Sequence, residues 1–239
     1  MRPLGLVLAL MAAGCASTAP DRSEVIRGFL PSAVQLRSER AEGGRRAASG
    51  IVLASDAASK RSWILTTRHF LDPASAQEVF VSAPGRKGRV RAAVTAVSQD
   101  LDLAVISVDG IALVPVRFKD VVRLGDEVWI AAFPWGRQLT VVSGVVSQLR
   151  WAEGELPLEG SIRMVDASVS YGASGGGVFD AATGALVGIV EGYRTAQIAM
   201  PDRPERVLQL PVPGETTVIP VVVIVEFLNG AGLDALVPR

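Results

Sequence analysis

Ser174 stands in Gly172-Ala173-Ser174-Gly175-Gly176-Gly177, where four of six residues are glycine. Glycine at that density serves unusual backbone angles and close approach of the chain to another group. A serine on such a loop can be a nucleophile, with neighbouring N–H groups aimed at a developing oxyanion. A glycine-rich turn without chemistry is the competing reading. A phosphate cradle is disfavoured, because no lysine follows as a Walker loop requires and no G-x-G-x-x-G occurs. A nucleophilic serine needs a base, and the chain has one histidine, His69, after the strand-like run Ile64-Leu65-Thr66. Taken alone, His69 would be read as a surface or half-buried side chain. Beside a glycine-framed serine it is a candidate general base. Such a base is held by a carboxylate, and Asp102 opens Asp102-Leu103-Ala104-Val105-Ile106-Ser107-Val108. Strand alternation puts Asp102 on the face of Ala104, Ile106 and Val108. A carboxylate on an apolar face is costly unless a donor such as a histidine N–H satisfies it. The alternative is a strand-end aspartate turned to solvent, like Asp100 and Asp109.

The elements that must position these residues are strand-like almost throughout. Short apolar or alternating runs recur at 33–38, 50–54, 62–66, 78–82, 89–98, 101–108, 126–133, 139–149, 161–166, 176–180, 185–191 and 207–219, separated by Gly, Pro, Asp or Ser clusters. Twelve short strands with regular turns predict an all-β barrel or sandwich, possibly a pair of them. The halving point falls near 114–122, and 194–217 is either a loop or a hairpin. At the end, Pro220 and Gly230 bracket a short C-terminal helix.

Composition narrows the function. The 239 residues carry 24 Lys+Arg and 24 Asp+Glu, so the zero net charge argues against a nucleic-acid partner. One cysteine and one histidine exclude an internal disulfide, a cysteine zinc or iron–sulfur site and a multi-histidine metal centre. No metal and no cofactor are expected. Residues 1–14 read as an export signal: Arg2, a ten-residue apolar run from Leu4 to Ala13, then small residues before Cys15. Leu10-Met11-Ala12-Ala13-Gly14-Cys15 resembles a bacterial lipobox, which implies lipidation of Cys15, with Ala12 standing where leucine is usual. A plain secretory signal is the alternative. Residues 15–31 are expected to be a lipid-anchored flexible tether. No Asp follows Cys15, which by the same resemblance implies the outer membrane, facing the periplasm.

Chain order arbitrates among hydrolase folds. The loose G-x-S-x-G elbow of α/β-hydrolases needs a histidine after the serine, and there is none. The subtilisin order needs an aspartate before His69 in an α/β sheet, and helices are lacking. His69, Asp102, Ser174 on a β-rich chain has the chymotrypsin order. From about 48 to 228 the chain resembles a trypsin-like protease of the HtrA (Deg) type. The resemblance is carried by Ser49-Gly50-Ile51-Val52, Ile64-Leu65-Thr66 before His69, Asp102-Leu103-Ala104-Val105, Gly125-Asp126-Glu127-Val128, Phe133-Pro134-Trp135-Gly136, Val142-Ser143-Gly144-Val145-Val146-Ser147, Asp166-Ala167 and Gly188-Ile189.

The resemblance implies two six-stranded antiparallel β-barrels of the chymotrypsin type, about 32–116 and 117–220, with a helix at about 221–229 and the site in the crevice between them. It implies Ser174 as nucleophile, His69 as base and acid, Asp102 as its orienter, and the N–H groups of Gly172, Ala173 and Ser174 as oxyanion hole. Ser168 would lie at the base of the specificity pocket, with Val190, Glu191 and Gly192 along its wall. A neutral Ser168 argues for an aliphatic residue before the scissile bond, although Glu191 is unusual. Ala173 replaces the usual Asn or Asp, so zymogen activation through that residue is not expected. Thr67-Arg68 replaces a small or amide pair, with an expected effect on the nearby substrate surface. The chain ends about ten residues after the final helix, which leaves no PDZ domain in the expectation. The function implied is a serine endopeptidase acting on unfolded or extracytoplasmic polypeptides, with the membrane as partner through the lipid and self-association left open. The alternative is a non-enzymatic, chaperone-like peptide-binding lipoprotein on the same scaffold, which a collapsed oxyanion loop would favour.

Overall fold

The computed structural model describes residues 21–40, 43–72, 77–154, 156–200 and 203–238. Cys15 and the expected signal segment lie outside them. The first six strands are β1 (Ala33–Arg40), β2 (Arg45–Asp56), β3 (Arg61–Thr66), β4 (Gln77–Ser82), β5 (Val90–Val97) and β6 (Ala104–Val108). They close into an antiparallel barrel in the order β1-β2-β3-β6-β5-β4. After a two-residue strand β7 (Val122–Arg123) come β8 (Glu127–Ala132), β9 (Thr140–Leu149), the two-residue β10 (Glu159–Gly160), β11 (Ile162–Asp166), β12 (Gly177–Asp180), β13 (Leu186–Met200) and β14 (Arg203–Pro220). A second barrel closes as β11-β14-β13-β12-β8-β9, and β7 pairs only with β10. The fold is all-β, with two six-stranded barrels and a short C-terminal helix, Val221–Gly230.

The joint between the barrels follows from strand periodicity. In β2, Val52 points into the first barrel while Ile51 and Leu53 join a cluster between the barrels. In β6, Ala104 and Ile106 fill the barrel and Val105 faces the joint. In the second barrel Ile130 and Val187 point inward, whereas Ala131, Leu186 and Ile189 meet the joint. A strand buried on both faces reads as a continuous apolar run, which is the pattern of Leu103-Ala104-Val105-Ile106. The C-terminal helix lays Val223, Ile224, Phe227 and Leu228 over the same joint.

Two expectations are corrected. Residues 22–29 form a helix, α1 (Arg22–Phe29), and not part of a flexible tether. Asp21 caps it, accepting from the Ser23 N–H at 3.1 Å. Phe29 is buried and stacks on Phe179, with centroids 4.2 Å apart. Asp102 lies ahead of β6 and not within it, and β6 is buried on both faces. Alternation therefore does not place that carboxylate; the loop before the strand does. The segment 194–217 is a hairpin, the paired outer halves of β13 and β14.

Candidate active site

His69 sits in a single 3₁₀ turn, Arg68–Leu71, at the end of β3. The Arg68 guanidinium donates to the carbonyls of Ser98, at 3.3 Å, and Gln99, tying this turn to the loop before Asp102. Arg68 thus acts on the relative placement of His69 and Asp102 and is not among the residues lining the cleft, contrary to the role expected of Thr67-Arg68. Ser98 braces the same loop: its N–H donates to the Leu103 carbonyl and its hydroxyl accepts from the Leu101 N–H, both at 3.0 Å. The Asp102 carboxylate then holds His69 twice, one oxygen accepting from the His69 backbone N–H at 2.8 Å and the other 2.6 Å from ring Nδ1. Burial raises the Asp102 pKa, but the hydrogen bonds from His69 and the charges of His69 and Arg68 outweigh it and hold the carboxyl below its ordinary range. An ionised Asp102 fixes the proton on Nδ1 and leaves Nε2 free as acceptor.

The serine loop is built by the second barrel and clamped by the first. Ser49 of β2 is buried; its N–H donates to the Ser174 carbonyl at 2.9 Å and its hydroxyl donates to the Gly172 carbonyl at 2.8 Å. The same hydroxyl accepts from the Phe133 N–H at 2.8 Å, while Thr66 donates to the Ser49 carbonyl at 2.9 Å. Two glycines are dictated by this closeness. A Cβ on Gly175, at φ +79°, would lie 2.2 Å from the Ser49 carbonyl oxygen. One on Gly172, at φ +90°, would lie 2.8 Å from the Trp135 nitrogen.

Within the loop the amides divide. Ala173 N–H donates to the Ser170 carbonyl at 3.0 Å, and Gly175 and Gly176 N–H donate to Val190 and Ala173. The N–H groups of Gly172 and Ser174 have no partner among the described residues. The Tyr171 carbonyl accepts from the Trp135 N–H at 2.7 Å. In a planar trans peptide the Gly172 N–H points opposite to that carbonyl, so this bond turns the N–H away from Trp135. Of the three residues expected to form an anion hole, Gly172 and Ser174 offer free donors. Ala173 does not, because its N–H is already engaged.

Trp135 makes this bond from a left-handed conformation, φ 58° and ψ 18°. For a bulky L-residue that costs about 1–2 kcal/mol. Its ring lies against Tyr171 with centroids 5.3 Å apart. Neither Trp135 nor Ser49 was singled out as a site residue. A small hydroxyl beside glycine at the start of an apolar run was the available signal for Ser49. Nothing local marks the φ of Trp135.

His69 and Ser174 line one cleft of about 650 Å³ together with Arg46, Ala48, Tyr171 and Glu191. No hydrogen bond joins the His69 ring to the Ser174 hydroxyl in this structure, where both reach the same space. Of the expected specificity residues, Glu191 and Gly192 line the cleft. Val190 is fully buried, with its N–H and carbonyl paired to Gly176 and Gly175. Ser168 is exposed just past β11 and is not among the residues lining this cleft. Among the described residues no cluster of three or more His, Cys, Asp or Glu could hold a metal ion.

Two barrels meeting at a histidine–aspartate pair and a glycine-framed serine define a peptidase fold of the trypsin-like class. The model of the trypsin-like peptidase domain family matches residues 48–189, more than half of the chain, and the chain belongs to that family. Among solved structures it is similar to the HtrA-type protease AlgW with tripeptide (20% identity, TM-score 0.66, covering 90% of this chain and 64% of that one). It is similar to the serine endoprotease from Yersinia pestis (21%, TM-score 0.65, covering 90% and 67%). It also resembles a serine-to-alanine inactive form of Rv3671c from M. tuberculosis H37Rv (19%, TM-score 0.65, covering 90% and 94%). The chain thus spans less than two thirds of the AlgW structure. No curated protein sequence matches it.

Proposed function

We propose that this protein is a serine endopeptidase working by acyl-enzyme chemistry. The observation that carries the reading is the pair of unengaged N–H groups, that of Gly172 oriented by the Trp135–Tyr171 bond and that of Ser174 by the bond from the Gly176 N–H to the Ala173 carbonyl. His69 Nε2 takes the proton of the Ser174 hydroxyl as Oγ attacks the substrate carbonyl carbon. The carbonyl electron pair moves to oxygen, where the two N–H groups meet it. Collapse breaks the C–N bond, and His69 returns its proton to the leaving amine. Water then attacks the acyl-enzyme by the same route and frees Ser174. Asp102 stays ionised throughout, holding the imidazole and the charge it acquires. Ser49 is a positioning residue for the loop.

The substrates proposed are unfolded or extracytoplasmic polypeptides, with an aliphatic residue before the scissile bond. Glu191, which lines the cleft, is the residue that would overturn that preference by receiving a basic side chain. Lipidation at Cys15, and with it attachment to the outer membrane on the periplasmic side, is part of the proposal; mass spectrometry of the mature N-terminus tests it. A chaperone-like binding protein would call for a collapsed loop, and the unengaged N–H pair speaks against it. The test is labelling by a fluorophosphonate probe alongside digestion of casein. Labelling is expected in the wild type and lost in Ser174→Ala, whose turnover should fall by roughly 10⁶. Absence of labelling in folded wild type would sink the reading.

A further inference from the structure

Strand β13 is held on both sides only at its start. Leu186, Gly188 and Ile189 pair with β12 on one side, and Gly188 onward pairs with β14 on the other. Val190 closes the first side through Gly175 and Gly176. From Glu191 to Met200 that edge has no strand partner among the described residues. The open edge starts inside the cleft, which Glu191, Gly192 and Tyr193 line beside Ser174. Ten residues of strand extend about 33 Å.

The two edges of this arm differ. β14 carries Pro211 and Pro213, which lack N–H groups and blunt its outer edge, whereas Glu191–Met200 contains no proline. The arm also has an apolar face. The opposed pairs Ala196–Leu210 and Ile198–Leu208 share one side of the ribbon. Ile198, Leu208 and Leu210 are left 50%, 49% and 41% exposed, too much for side chains packed in a core. The other side carries the alternate pairs Gln197–Gln209 and Ala199–Val207, with Val207 51% exposed.

We infer that this arm is an extended docking edge for the substrate, a reading that rests on the proposed endopeptidase activity. Its occupant is the segment N-terminal to the scissile bond of an unfolded polypeptide rich in apolar residues. The direction follows from the chemistry. His69 must protonate the leaving amine, so the leaving side lies toward the first barrel. The acyl side lies against the second barrel, where β13 begins. A chain seated there adds to the edge as a strand and continues along it, its main chain paired with Glu191–Met200 and alternate apolar side chains beside Ala196 and Ile198. The open edge is continuous with the cleft, and this continuity selects substrate over other occupants.

The probe is fluorescein-labelled, carboxymethylated casein, an unfolded chain, titrated against Ser174→Ala protein. Two arm variants are compared in that background. One is Ile198→Thr with Leu208→Thr, which keeps β propensity and removes the apolar pair. The other joins Thr195 to Pro211, facing residues of the ribbon, through an Asn-Gly turn. The double threonine variant should bind casein about fivefold more weakly, and the armless variant more than tenfold. With Ser174 restored, casein hydrolysis should fall by the same factors while the rate of fluorophosphonate labelling stays unchanged. Equal casein affinity with and without the arm, or no binding to the intact arm, overturns the inference. So does a concentration-dependent dimer, seen by light scattering, that the variants dissociate without changing casein affinity; the edge then joins two copies. Failure of labelling in the wild type counts against the hydrolase reading itself, and loss of arm dependence alone counts only against the docking edge.

Discussion

Replacing Gly172 by alanine tests whether the anion hole is set by main-chain contact with the Phe133–Gly136 turn. The added Cβ would lie 2.8 Å from the Trp135 nitrogen, 3.0 Å from the Phe133 oxygen and 3.3 Å from the Gly136 nitrogen. All three are backbone atoms, so no rotamer change relieves them. The φ of +90° adds about 1–2 kcal/mol for an L-residue. The nearest of the three, the Trp135 nitrogen, is the donor of the 2.7 Å bond to the Tyr171 carbonyl, and that bond is expected to break. Once free, the 171–172 peptide turns, and the Gly172 N–H leaves the hole. Loss of one such donor lowers kcat by about 10²–10³, or about 3–4 kcal/mol. KM should change little, because the donor acts on the developing oxyanion.

The assay is steady-state hydrolysis of a casein-derived peptide, normalised to sites titrated by fluorophosphonate, with circular dichroism as the check on folding. A fall of 1–2 kcal/mol in stability corresponds to a melting point lower by about 2–8 °C. A folded Gly172→Ala protein with kcat within threefold of wild type would refute the reasoning. It would mean that the loop accommodates the methyl group without moving its N–H.

Ser49→Ala removes the hydroxyl that bridges Phe133 N–H and the Gly172 carbonyl, leaving both buried groups short of a partner. A loss of about 1–3 kcal/mol is expected in urea denaturation, together with reduced kcat; Ser49→Thr should recover part of the kcat if positioning is its role, and equal losses in both variants would argue for simple packing. Acid should weaken the fold through Asp102 and Asp180. Burial raises the Asp180 pKa, but Lys119, 2.5 Å away, and two bonds from Thr183 outweigh it, so both carboxyls titrate below their ordinary range. A depressed folded-state pKa gives stability that is fully present above the unfolded value of about 4 and lost as pH falls through the folded one. Unfolding free energy should therefore hold above about pH 5 and decline below pH 4, with a shallower decline in Asp180→Asn; an unchanged slope in that variant would exclude Asp180 as a source.

The residues of the site were legible in the sequence where their chemistry is scarce. One histidine, one glycine-framed serine and one aspartate heading an apolar run leave few arrangements. The orientation of Asp102 was not legible, because it depends on Ser98 and Arg68 bracing a loop and not on strand alternation. The helix Arg22–Phe29 had a local sign in Asp21 and Glu24, the spacing of a capping box. Its eight residues cannot stand as an isolated helix. What holds it is Phe29 on Phe179, a contact across 150 residues that no local pattern announces.

The same distinction separates the two halves of the proposed machinery. His69 and Asp102 belong to one barrel and are held by contacts within it, whereas the serine loop is shaped by Ser49 from the first barrel and Trp135 from the second. The turn that holds Trp135 at its strained φ is tied by the Tyr171 carbonyl, which accepts the Trp135 N–H, and by Gln35 and Arg37 of the first barrel, which donate to the carbonyls of Arg137 and Gly136, while Ser49 fixes the Gly172 carbonyl one residue past Tyr171. The donors for an oxyanion are thus a property of the joint and not of either barrel. A perturbation that separates the barrels by even a fraction of an ångström should disable the hole before it disturbs the histidine–aspartate pair. It follows that loss of activity by damage at the joint should leave Asp102 paired with His69, and that the intact pair alone is no evidence of a working site.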